Sequence, residues 1–224
     1  MGMHLATLSA PSAVQAGTPP GLMPSPVDRL PVRPTRRRYP LTEFLRASPL
    51  LRSDIAFNSP GLPLTLTLRL RDGWGLAIPR AAVYIWHHDA CGWTFDAADD
   101  ELGAVTMMRG VQFTDAQGAV QFRTVYPGRY GDGSVPVYVQ VYFSDGRHVV
   151  SRTDACLQLP ARSEALGGRL LAPPVGPGQR KPRFDAEHEV ALIEVAPVHD
   201  DPFTEGLRAD VVLNVALVQL PASH

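Results

Sequence analysis

Residues 63–70, PLTLTLRL, place Leu64, Leu66, Leu68 and Leu70 at every second position, with Thr65, Thr67 and Arg69 between them. A period of two sends the leucines to one face and the polar residues to the other, which is the pattern of a half-buried β-strand. Further short segments follow: AAVYIWH, GVQFT, GAVQFRT, VPVYVQVYF, HVV, ACLQL and HEVALIEVA. Gly, Pro and Asp punctuation separates them, in DGWG, DAQG, YPGRYGDG and SDG. The last apolar segment, LRADVVLNVALVQL, is long enough for a helix, but its β-branched residues and alternation favour a strand. The expected fold is therefore all-β, an antiparallel β-sandwich.

On either side of the strands the pattern breaks. Residues 1–48 mix Ala, Pro, Ser and Gly with Arg36, Arg37 and Arg38 and sustain no apolar period, so they read as a tail or wrapping arm. The domain is expected over 49–220. Between about 160 and 185, four glycines and five prolines, from Pro160 to Pro182, predict a long loop. Loops of that length commonly cover a site or form an interface, the alternative being a mobile excursion. The arginine cluster is superficially like a twin-arginine export signal, but LTEFLRASPLLRSD carries charges where a continuous apolar stretch should follow.

Composition narrows the classes of function. The 224 residues carry a formal net charge of -1 and 19% charged residues, which disfavours nucleic acid as a main partner. Lys181 is the only lysine among 21 basic residues, a bias that no fold requires. The longest apolar runs fall short of the roughly 18 to 20 residues that span a bilayer. The expectation is a soluble protein without a membrane partner, cytoplasmic for want of a convincing signal peptide. Cys91 and Cys156 form no CxxC pair; two free buried thiols are favoured over one bridge. There is no G-x-S-x-G, H-E-x-x-H or P-loop to name another chemistry.

Five blocks occur in order: RSDI at 52–55, GLPLTLTLRL at 61–70, AAVYIWHHDACG at 81–92, MRGVQFTDAQGAVQFRTVYPGRY at 108–130 and VPVYVQV at 135–141. Together they resemble the intradiol ring-cleavage dioxygenases, and best their small, often exported branch. The resemblance implies a β-sandwich core. In active members it also implies a non-haem ferric ion that opens catechols between the two hydroxyl-bearing carbons, using dioxygen. It implies two tyrosine and two histidine ligands, a donor set suited to a hard ferric ion.

Carried onto this chain, most of those positions depart from the pattern. The first tyrosine, two residues after the glycine of the WHxDxxG block, is Thr94. The second, in P-G-x-Y, is present as Tyr130. The H-x-H pair of the next strand falls on Pro136 and Tyr138, and an arginine usual just before it on Gly133. Strand parity sharpens this, because Val135, Val137, Val139, Val141 and Phe143 share one face and Pro136, Tyr138, Gln140 and Tyr142 the other. Packing residues are kept while the ligand face is rewritten.

The vestigial pocket is thus expected around Thr94, Tyr130, Pro136 and Tyr138, with no catalytic residue and no cofactor. The leading expectation is a binding or assembly module without iron, taking an aromatic small molecule or assembling with itself or a related subunit. One alternative is an active dioxygenase whose ferric iron is held by Tyr130 and Tyr138, supplemented by His148, His188 or His199. Another is a structural partner of an active relative. His87 and His88, being adjacent, point to opposite strand faces; His87 reads as a hydrogen-bonded histidine beside Trp86. Tyr138 and Tyr142 read as an aromatic wall or a surface ladder.

Overall fold

The computed structural model describes residues 23–39, 49–92, 108–129, 133–145, 147–161 and 189–216. Its strands are β1 (Ser25–Pro31), β2 (Arg33–Tyr39), β3 (Pro63–Arg71), β4 (Ala82–His87), β5 (Arg109–Phe113), β6 (Ala119–Val125), β7 (Pro136–Ser144), β8 (Val149–Gln158), β9 (Glu189–Leu192), β10 (Ala196–Pro197) and β11 (Leu207–Ala216). A single helical turn, α1 (Pro202–Glu205), precedes β11 and is capped by the Asp201 side chain.

The strands form two sheets. One has the order β1-β11-β3-β6 with β10 beside β11; the other has the order β2-β8-β7-β4-β5 with β9 beside β8. Leu64, Leu66, Leu68 and Leu70 of β3 and Leu207, Ala209, Val211 and Leu213 of β11 face Val83 and Ile85 of β4, the valines of β7 and Leu157 of β8 in one continuous core. The antiparallel sandwich is as expected, with three parallel pairings, β1–β11, β11–β3 and β8–β9. Alternation reports which face a residue occupies but not the direction of its neighbouring strand.

Part of the expected arm is woven into both sheets. β1 lies against β11 and buries Val27 and Leu30, and β2 lies against β8. The HVV and ACLQL segments merge into the single strand β8. Of the Pro/Gly-rich loop only Pro160 and Ala161 lie within the described residues.

One device closes three of the turns. Asp72, Asp115 and Asp145 each present Oδ1 to two backbone N–H groups a few residues on, of Trp74 and Leu76, Gln117 and Ala119, and Arg147 and His148, at 2.8 to 2.9 Å. Short carboxylates satisfy loop amides in this way where no sheet partner is present.

The segment Leu50–Ile55 closes the open edge between the sheets. Leu50 O accepts from Val111 N–H of β5 at 2.7 Å, and Arg52 N–H donates back to Val111 O at 3.2 Å. Three residues on, Ser53 O accepts from Arg123 N–H of β6 at 2.8 Å, and Ile55 N–H donates to Arg123 O at 2.9 Å. The chain thereby steps from one sheet to the other, burying Ile55 completely. No helix among the described residues is long and apolar enough to cross a membrane.

Candidate functional site

The site expected from the sequence is framed by the end of β4, the end of β6 and the start of β7. After β4 the chain turns through Asp89–Gly92: the Asp89 side chain accepts from Cys91 N–H at 2.9 Å, and the Asp89 carbonyl accepts from Gly92 N–H at 3.1 Å. That same carbonyl accepts from Gly128 N–H at 2.7 Å, tying this turn to the stretch after β6. Contact there is backbone on backbone. A Cβ at Gly128 would lie 2.2 Å from Gly92 N, and one at Gly92, whose φ is +84°, would lie 2.8 Å from Arg129 O. Only glycine fits at either place. Thr94 and Tyr130, each two residues beyond one of these glycines, lie outside the described residues.

Both histidines of the first turn are buried and separately engaged. His87 Nε2 lies 2.8 Å from Thr124 Oγ1 and its Nδ1 contacts the His88 carbonyl. A carbonyl only accepts, so Nδ1 carries the proton, and in the neutral ring Nε2 is the acceptor facing the threonine hydroxyl. Burial supports that state, pushing the His87 pKa down to about 4. His88 Nδ1 lies 2.9 Å from Gly92 O, inside its own turn. The reading of His87 as a hydrogen-bonded core histidine is met, and the two rings bond to different partners.

β7 brings Pro136 and Tyr138 to the outer face of its sheet, as parity required. Pro136 is buried opposite Gln158 of β8. Tyr138 is flanked by Trp86 of β4 and Cys156 of β8 and is only 6% exposed. Its ring stacks on Trp86, with centroids 5.4 Å apart and planes 22° apart, and Trp86 stacks in turn on Tyr84 at 4.9 Å and 25°. Burial holds the Tyr84 phenol above its usual pKa, opposed by the nearby Arg109 guanidinium. The aromatic ladder therefore runs along β4 into β7, and the Tyr142 hydroxyl donates to Gln140 Oε1 at 2.7 Å. The roles of Tyr84 and Trp86 were missed in the sequence, although their i, i+2 spacing on the non-core face of AVYIWH is the signal that exposes them.

The expectation of two buried thiols is corrected. Both cysteines are free, Cys156 buried and Cys91 exposed on the turn that Asp89 organises. For ferric iron the donor set is the test. Proline has no side-chain donor, so Pro136 cannot fill a ligand position, and both nitrogens of His87 are already engaged. Among the described residues no three His, Cys, Asp or Glu side chains form a group able to hold a metal. Of the four ligand positions in the family pattern, the described residues include only Pro136 and Tyr138.

A two-sheet β-sandwich with the WHxDxxG and P-G-x-Y turns butted together at one end, beside a β7 outer face, has the architecture of a ring-cleaving dioxygenase domain. The Dioxygenase_C family model, described as Dioxygenase, matches residues 44–150. An intradiol ring-cleavage dioxygenase from Tetranychus urticae shares the fold at 21% identity and TM-score 0.51, over 80% of this chain and 91% of that one. The dioxygenase domain of a dioxygenase carbohydrate-binding protein fusion from Streptomyces sp. SirexAA-E is similar at 22% identity and TM-score 0.47, over 74% and 89%. A 3-chlorocatechol 1,2-dioxygenase from Rhodococcus opacus 1CP gives 14% identity and TM-score 0.48, over 83% and 73%. No curated protein matches. Residues 44–150 thus match the dioxygenase family model, and the chain shares the fold of an intradiol ring-cleavage dioxygenase.

Proposed function

We propose that this chain keeps the family's sandwich without its ferric chemistry and works as a binding or assembly module. The observation that carries the reading is the outer face of β7. Where the family pattern has two imidazoles, this strand has a buried proline and a tyrosine stacked against Trp86. Imidazole coordination is replaced by apolar and aromatic packing, consistent with a fold outlasting the chemistry grafted onto it. The aromatic ladder and its setting favour a planar aromatic small molecule, or a second chain, as what the module engages.

Elemental analysis of the purified protein tests the proposal, together with oxygen uptake on catechol. The expected result is iron far below one per chain and no uptake. Stoichiometric iron with catechol-dependent uptake would overturn it. So would visible phenolate-to-iron absorption that a Tyr130→Phe variant abolishes, the signature of an active enzyme with a Tyr130 and Tyr138 shell.

A further inference from the structure

The sheet opposite the candidate site presents a polar outer face, and one row across it carries two arginines. Register places Arg123 of β6, Thr65 of β3 and Arg208 of β11 side by side. All three lie on the non-core face, because their strand neighbours Leu64, Leu66, Phe122, Leu207 and Ala209 fill the core. With strands about 4.8 Å apart, the two arginine backbones are roughly 10 Å apart with the threonine hydroxyl between them. Arginine side chains are long enough to converge over that gap.

Other arginines of this face are partnered. Arg69 pairs with Asp210 at 2.9 Å, and Arg71 donates to Gln117 O at 2.7 Å. Arg208 differs, since its Nε is fully shielded from solvent and has no hydrogen-bond partner. Among the described residues, the Arg123 guanidinium and the Thr65 hydroxyl have no partner either. Of the nearby carboxylates, Asp210 pairs with Arg69, while Asp54 accepts from the Ala56 N–H at 3.1 Å and lies across a backbone bridge from Arg123. A guanidinium with one shielded nitrogen left without an acceptor is costly, and an oxyanion held at its terminal nitrogens would offset that charge.

We propose that Arg123, Thr65 and Arg208 form a binding site for an oxyanion: a sulfate, a phosphate or the carboxylate of an organic acid. The two guanidinium groups donate to its oxygens from either side and the Thr65 hydroxyl donates from below. This site is independent of the β7 face and of whether iron is held there.

Thermal unfolding of the full chain, with sodium sulfate, phosphate or acetate titrated against chloride at fixed ionic strength, tests it. A saturable rise in Tm with at least one of the three is expected, and the one that saturates at the lowest concentration identifies the ligand chemistry. In Arg208→Gln and Arg123→Gln the half-saturating concentration should increase at least about tenfold, and Thr65→Val should weaken binding less. Arg147→Gln, an exposed arginine elsewhere, should behave as wild type. If Arg208→Gln folds poorly, the exposed Arg123 variant carries the comparison. A rise that does not saturate with any anion, or one unchanged in Arg123→Gln, overturns the proposal.

Discussion

His87 spends its imidazole on holding β4 against β6, and that role has a pH signature. The folded ring titrates at about 4 and the free one at 6.5, so the unfolded chain binds the extra proton first. Stability is therefore complete above about pH 6.5, declines as pH falls through the window between the two values, and levels off below it. The difference corresponds to roughly 3 kcal/mol. Denaturant unfolding at pH 7.5 and pH 4.5 should show most of that loss, and His87→Gln should flatten the dependence; equal slopes in both proteins would contradict it. Gly128 belongs to the same scale. With Gly92 N only 2.2 Å from where a Cβ would sit, Gly128→Ala must push two backbones apart and should cost roughly 3 kcal/mol in the same assay. A change below about 0.5 kcal/mol would mean the junction is loose. The sequence carried the two glycines as family motif positions, but not that they touch, since contact between residues 36 apart along the chain leaves no local pattern.

Among the elements, β7 was fully legible and β1 was not. The parity of VPVYVQVYF separates core valines from outer Pro136 and Tyr138 without any structure, because nothing interrupts the period of two. β1 breaks that period. Between the pairs Val27–Leu213 and Leu30–Val215, the single Asn214 of β11 is matched by Asp28 and Arg29 of β1, with Arg29 at a left-handed φ of 57° inside the bulge. Its apolar buried residues Val27 and Leu30 consequently fall three apart, which in a proline-rich stretch resembles no strand. The Tyr84–Trp86–Tyr138 stack makes a prediction of its own. Tyr138→Ala removes a nearly buried ring from it and should cost about 3 kcal/mol, whereas Tyr138→Phe keeps the stack and should cost under about 1 kcal/mol. Calorimetric Tm values for the pair test this; equal losses would show that the hydroxyl, not the ring, is what matters. Thr94 and Tyr130 were legible only through resemblance, since neither sits in an alternating segment that would assign it a face.

For the molecule as a whole, sheet membership depends on two long-range connections. Leu50–Ile55 ties β5 of one sheet to β6 of the other, with Ile55 packed so closely that its Cγ2 lies 2.5 Å from where a Gly110 Cβ would be. Ile55→Ala should cost about 3 kcal/mol, with amide exchange accelerated at Val111 and Arg123 before the rest of the sandwich. Uniform exchange across both sheets would show that the segment does not act as a separate clasp. The second connection is β11, parallel to β1 and β3 and inserted between them.

That insertion orders events during synthesis. β1 emerges from the ribosome first and β3 soon after, yet neither can meet the other until residues 207–216 arrive to fill the slot. Throughout translation of the intervening chain, the two strand edges that β11 will pair stay open, the condition in which nascent chains aggregate or engage chaperones. The half of the sandwich made earliest is the last to be sealed.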